Sequence, residues 1–199
     1  MSVQCALVSL AIGVFCGIGA SARASQDSQG GIIERLTLET HEQAVACGRA
    51  GAACAVDPYE LCPSRTGRYS ARITTPYSRV ASGVLEALKK GRRPRPMTPG
   101  LATRWGLGVY VFPAEHSINA DAIQRVEIRR EGRVFRPTTS TVAPFAAEMP
   151  DGSRRQLARG FFAFPFGALS PESDATIVFI GAAGETACTL TRDALRKLR

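Results

Sequence analysis

Five cations fall within seven residues: Lys89, Lys90, Arg92, Arg93 and Arg95. Such a run can bind phosphate-bearing polymers or an anionic envelope surface, and a solvated helix end leading into a charged linker is the competing account. His116 lies in Pro113-Ala-Glu-His-Ser117 just after a β-patterned stretch, with Glu115 beside it, where it could act as a base or a metal ligand. A surface loop histidine explains it as well. His41 falls in the first turn of a helix, with nothing nearby in sequence to complete a site. Ala81-Ser82-Gly83 lacks the first glycine of a nucleophile elbow and sits inside a helical pattern, which makes Ser82 structural. The chain carries no phosphate-cradling glycine loop and no dinucleotide fingerprint. No catalytic residue, metal site or cofactor is therefore assigned. Asp57-Pro-Tyr-Glu60 could be a binding tip or simply a turn locked by proline.

The other reactive groups are cysteines, and what they do depends on where the chain resides. Residues 5–18 are apolar and uncharged, and Ala22-Arg23-Ala24 supplies the small residues that a signal peptidase reads. The expected leader is residues 1–24, cleaved between Ala24 and Ser25, although its first four residues carry no Lys or Arg. A retained membrane anchor and cleavage after Ala22 are the alternatives. Removal leaves 175 residues with a net charge of +7, enough for one domain with a core of its own. No later segment could span a membrane.

Four cysteines survive processing: Cys47, Cys54, Cys62 and Cys188. In an exported chain an even number implies two disulfides, with three connectivities open. The spacings of six, seven and 125 residues match no zinc pattern. A small loop favours Cys47 with Cys54, which leaves Cys62 with Cys188; Cys54 with Cys62 is the main alternative.

The elements that would position these groups are mostly β in pattern. A short helix opens at Thr40 with Gln43 as a capping box and stops at Gly51. The stretch from there to Ser64 reads as a loop held by disulfides. Residues 67–74 alternate as a half-buried strand. Thr75-Pro76 then opens a helix over 76–90 whose Tyr77, Val80, Ala81, Val84 and Leu88 form one apolar stripe. Residues 92–100 read as an extended connector. Strands follow over 105–112, 123–130 and 133–138, the last two joined at Glu131-Gly132, with a further turn at Asp151-Gly152. Glu127 among Arg125, Arg129 and Arg130 suggests pairing on a wet strand face.

In Gly160-Phe-Phe-Ala-Phe-Pro-Phe-Gly, residues Phe162, Phe164 and Phe166 recur with period two and should share a buried face, with Phe161 on the other. An aromatic platform for a ligand is the rival account of that run. A final hairpin spans 176–190, and Thr191 caps a short C-terminal helix.

About seven short strands with regular turns match an immunoglobulin-like β-sandwich in a mainly β (α+β) chain. It would carry an inserted helix over 76–90, a short N-terminal helix and a short C-terminal helix. The expected organisation is a leader over 1–24, an extension with the cysteine-rich loop over 25–66, and the sandwich over 67–199. The run Phe162-x-Phe164-Pro165-x-x-x-Leu169-x-Pro171, followed by a hydrophobic strand and hairpin, resembles the C-terminal part of exported bacterial proteins that are uncharacterised. That resemblance implies the sandwich and no site residues.

The reading is of a periplasmic or extracellular interaction protein, partnered by an envelope protein. The first alternative binds anionic surfaces through residues 89–95; the second is a hydrolase-type enzyme using His116 and a distant carboxylate. Nucleic acid is disfavoured because an exported chain rarely meets it. Intact mass of protein recovered from the producing cell should correspond to a chain starting at Ser25. Recovery of the full-length chain, Met1 included, from the membrane fraction would overturn the leader.

Overall fold

A computed structural model describes residues 31–62, 68–113, 123–148, 151–182 and 184–199, without the side chain of Arg155. The expected leader with its Ala24–Ser25 junction, and the loop carrying Glu115 and His116, lie outside these residues. Eight strands form, in chain order β1 (Tyr69–Thr74), β2 (Leu107–Pro113), β3 (Arg125–Arg130), β4 (Arg133–Phe135), β5 (Thr139–Glu148), β6 (Arg154–Phe164), β7 (Ala175–Gly181) and β8 (Gly184–Leu190). The helices are α1 (Leu38–Ala50), α2 (Ala52–Ala55), α3 (Pro76–Lys89), α4 (Pro99–Thr103) and α5 (Arg192–Leu195).

The strands make two four-stranded antiparallel sheets, ordered β1-β2-β6-β5 and β4-β3-β7-β8. One core is shared between them. Ile73, Leu107, Val109, Val111, Phe162 and Phe164 enter it from the first sheet, and Val126, Ile128, Ile177, Phe179 and Leu190 from the second. Tyr69 of one sheet lies 5.7 Å, ring to ring, from Phe179 of the other. The result is a mixed α/β chain compatible with a β-sandwich. The period-two phenylalanines behave as their spacing predicts for Phe162 and Phe164, which are almost fully buried. Pro165 ends the strand, and Phe166 turns into a 3-10 turn while still packing on the same core.

The eighth strand, β5, is the one that sequence pattern does not reveal. Thr139–Glu148 pairs with β6 along its whole length, yet most of its residues are exposed and none is fully buried, Ala143, Phe145 and Ala147 being only partly covered. Without a buried face there is no alternation to detect, and Pro144 argues against a strand unless it lies on an edge, which β5 does.

Local chemistry accounts for the remaining elements. Helix α1 begins one turn earlier than Thr40: Thr37 is the N-cap, and its hydroxyl exchanges bonds with the backbone and side chain of Thr40, so the capping box is Thr37/Thr40 and not Thr40/Gln43. The cysteine-rich stretch is more ordered than a loop, with α2 and a 3-10 turn at Asp57–Tyr59, and it buries Ala55, Tyr59 and Cys62. Helix α3 has the expected N-cap, Thr75, reinforced by Ser78. Its stripe of Tyr77, Val80 and Ala81 packs on Ala44 and Cys47 of α1 and on Ala102 of α4, forming a second core; Leu88 falls outside it and is largely exposed. The connector after α3 gives way to α4 at Pro99.

At Glu131-Gly132 both residues have positive φ, 51° and 71°, which is the twist a two-residue hairpin needs. Next to it, Glu127 is only 4 % exposed because Arg125 and Arg129 close over it at 3.1 and 3.2 Å. Arg130 pairs instead with Glu131 at 3.9 Å. The Arg129 guanidinium is held above its usual range by hydrogen bonds to Glu127 and Glu185.

The disulfides join Cys47 to Cys54 at the end of α1 and Cys62 to Cys188 on β8. The first closes a separation of 7 residues, the second 126. On the chain-entropy account they contribute roughly 2.5 and 5 kcal/mol respectively. Non-reducing peptide mapping should return these two pairs. Replacing Cys62 and Cys188 by Ser should lower the thermal midpoint more than replacing Cys47 and Cys54; the reverse order would show that closing the short loop matters more.

Candidate ligand-binding groove

Burying alternate residues of the first sheet leaves the others on its outer face, and strand register aligns them in rows. One row crosses all four strands as Arg72, Tyr110, Phe161 and Thr141. The adjoining row is Thr74, Gly108, Ala163 and Thr139. Over this face runs α3. With Tyr77, Val80 and Ala81 turned toward α1, its opposite stripe, Arg79, Ser82, Gly83 and Glu86, faces the sheet at helical spacing. Between helix and sheet lies a groove of about 630 Å³, lined also by Val56, Met97 and Trp105. That volume falls within the range typical of small-molecule sites.

The floor is aromatic. Tyr110 and Phe161 have ring centroids 4.7 Å apart, Trp105 meets Phe161 edge-on at 6.3 Å, and Tyr110 stacks with Phe112 at 6.4 Å. Trp105 and Tyr110 nevertheless remain 42 % and 40 % exposed. Arg104 lies over the Trp105 ring at 5.4 Å.

Arg79 is one of three charged side chains at the groove, with Arg72 and Glu86. Its Nη1 donates to the Ala102 carbonyl at 2.7 Å, and its Nη2 to the Gly106 carbonyl at 2.8 Å and the Thr74 hydroxyl at 3.3 Å. Every one of these acceptors is neutral. Burial therefore pushes the guanidinium down to about 10. The side chain can cross the sheet only because position 108 is glycine. A Cβ there would come within 2.3 Å of the Thr74 hydroxyl, 2.6 Å of the Phe161 ring and 3.1 Å of Arg79 Nη2. Arg72, two residues before Thr74 on the same face, is paired with Glu60, while its buried Nε meets no acceptor among the described residues.

The residues singled out from sequence are placed elsewhere. Lys89, Lys90, Arg92, Arg93 and Arg95 are all exposed at the end of α3 and along the connector. Lys89 contacts Glu86 at 3.5 Å, and no described ion pair engages the other four. His41 Nε2 bonds the Met97 carbonyl at 2.9 Å, tying α1 to the groove wall. Tyr59 of the Asp57–Glu60 turn is buried rather than presented; burial raises its phenol to about 12, and it donates to the Arg199 carbonyl. Ser82 back-bonds to the Arg79 carbonyl at 3.5 Å. Among the described residues no three His, Cys, Asp or Glu side chains cluster as metal ligands would.

Sequence reasoning does not gather Arg79, Trp105, Tyr110 and Phe161. The usable signal is the outer-face parity of Tyr110, Phe112 and Phe161 together with the polar stripe of α3. Gly108→Ala should cost about 1–3 kcal/mol by overpacking and should also displace Arg79 and Phe161. The thermal midpoint, with the Trp105 emission maximum, checks both; an unchanged maximum in a folded variant would show that the groove tolerates the methyl group. Compared with protein-family models, with curated proteins and with solved structures, the chain matches none.

Proposed function

We propose that this chain is an exported binding protein whose immunoglobulin-like domain takes its ligand in the groove between α3 and the outer face of the first sheet. The observation that carries the reading is the floor of Trp105, Tyr110, Phe112 and Phe161, large aromatic side chains kept partly in contact with water inside a concave site. Exposed aromatic surface gathered in one concavity is a mark of a binding site. Of the charged groups there, Arg79 holds the Ala102 and Gly106 carbonyls, Arg72 pairs with Glu60 and Glu86 with Lys89, which suits recognition better than turnover.

Strand order supports the immunoglobulin-like reading. Lettering the eight strands A, B, C, C′, D, E, F and G gives sheets A-B-E-D and C′-C-F-G, the order of such domains. The disulfide departs from the antibody pattern, since Cys62 precedes the first strand and Cys188 lies on the last. Export is supported by the two disulfides, which persist in oxidising compartments, and no described helix is long and apolar enough to cross a membrane.

Trp105 is the single tryptophan of the chain and stands at the groove, so its emission reports occupancy directly. Titrating the mature protein with lipid, glycan and peptide fractions of envelope extract should shift or quench that emission with one fraction. The double variant Tyr110→Ala, Phe161→Ala should lose the response while keeping its far-ultraviolet circular dichroism. A response that survives in the folded double variant would place the binding surface outside the groove.

A further inference from the structure

Resting on the groove reading, we infer that its ligand is a small monoanionic amphiphile, a flat or extended apolar body ending in one carboxylate, phosphate or sulfonate group. The body lies on Tyr110, Phe161 and Trp105, and the head is taken by Arg79, with Arg72 lining the same groove.

Charge complementarity selects this class. Of the charged side chains that line the groove, Arg72 is offset by Glu60 and Glu86 by Lys89, whereas Arg79 contacts only neutral oxygens. One positive charge is thus left without a counter-ion among the described residues. A partly buried guanidinium is costly in that condition, and carbonyl dipoles compensate for it only in part. Free donors point the same way. The described bonds of Arg79 use Nη1 and Nη2 and leave Nε open, and Arg72 Nε is also without an acceptor. Thr74 joins the two, being bonded to Arg79 and lying two positions along β1 from Arg72. Burial lowers the Arg79 pKa, and the opposite charge of a bound anion would act in the other direction.

The apolar half is set by the walls. A monoanion alone would not need three aromatic rings, and an apolar molecule alone would gain nothing from a guanidinium. Gly83 completes the space: it lies mid-helix, where glycine is unfavourable, yet a Cβ there meets nothing within 4 Å. Its absence of side chain keeps the groove open.

The test uses two probes of similar aromatic body on the mature protein. One is 8-anilinonaphthalene-1-sulfonate, which carries an anion; the other is N-phenyl-1-naphthylamine, which does not. Energy transfer from Trp105 reads occupancy. The sulfonate should bind about tenfold more tightly than the neutral probe, as a charge-assisted hydrogen bond allows. Arg79→Gln should bring the two to parity. Because Arg79 also holds the Ala102 and Gly106 carbonyls and its loss could unfold the chain, Glu86→Gln gives an independent reading: removing the groove's carboxylate should raise the sulfonate's advantage about two- to threefold. Changing Lys89, Lys90, Arg92, Arg93 and Arg95 together to Gln should leave the advantage in place.

Equal affinity for both probes, with both lost in Gly83→Leu, would overturn the anionic class while leaving the groove as the binding site. Loss of the sulfonate's advantage in the Gln-substituted run would move the anion site to residues 89–95. Failure of both probes to bind the parent, or binding indifferent to Gly83→Leu, would overturn the groove itself, as it would if a second copy or another segment of this chain already covers it.

Discussion

The register between β2 and β6 is the constraint on which both faces of the first sheet depend. Leu107 stands opposite Phe164 and Val109 opposite Phe162, and all four are buried in the shared core. Burying side chains of that size contributes about 1.5–3 kcal/mol each. A slip of one residue by either strand would turn its buried pair to the outer face, so the alignment is fixed from the core side. Once it is fixed, Tyr110 must stand opposite Phe161 on the outer face, and Gly108 opposite Ala163. The aromatic floor and the glycine window under Arg79 are thus set by packing on the far side of the sheet, without any requirement from a ligand.

The helices exist in this position because of a different set of contacts. Helix α3 turns its apolar stripe to α1, not to the sheet, so nothing compels the space between α3 and the sheet to be filled. Its N-terminus is held by the Thr75/Ser78 box, and the Thr75 hydroxyl also donates to the Arg199 carbonyl, which Tyr59 approaches as well. The segment before β1 is joined to β8 through Cys62 and Cys188. Arg79 then reaches from α3 to the carbonyls of Ala102 and Gly106, on α4 and just before β2. The groove is bounded by elements secured elsewhere, an arrangement that keeps a site open before a ligand arrives.

The parts legible in the sequence are those in which one face is buried and the other wet. Tyr69, Ala71 and Ile73, the stripe of α3, the Glu131-Gly132 hairpin and the period of Phe162 and Phe164 all belong to that class. Strand β5 does not, since neither of its faces is fully buried, and α4 is too short to show a period. The capping box of α1 illustrates a different difficulty: Thr37 and Thr40 both suit an N-cap, and the structure takes the earlier one, with Leu36 before it packed into the helical core. The groove is less legible still. Its members come from β1, β2, β5, β6, α3 and the segments around α4, and only the register brings Arg72, Tyr110, Phe161 and Thr141 into line. Outer-face aromatics are the one trace in the sequence, and they look the same whether a helix covers them or a ligand does.

The basic run and Arg79 offer positive charge under opposite conditions, and this decides which of them can discriminate. Lys90, Arg92, Arg93 and Arg95 stand in water, where their attraction is screened beyond about 10 Å at ordinary salt and any anion serves equally well. Arg79 is held by neutral oxygens beneath an aromatic wall, in a lower local dielectric, where a unit charge acts more strongly over the same distance. Its orientation is set by two carbonyls and a threonine, so the direction from which an anion can approach is set too. Specificity requires that combination of reduced screening and fixed geometry. On the proposed reading, the exposed run would raise the local concentration of anions near the end of α3, where Lys89 touches Glu86 at the groove's edge, and choosing among them would fall to Arg79 and the rings around it.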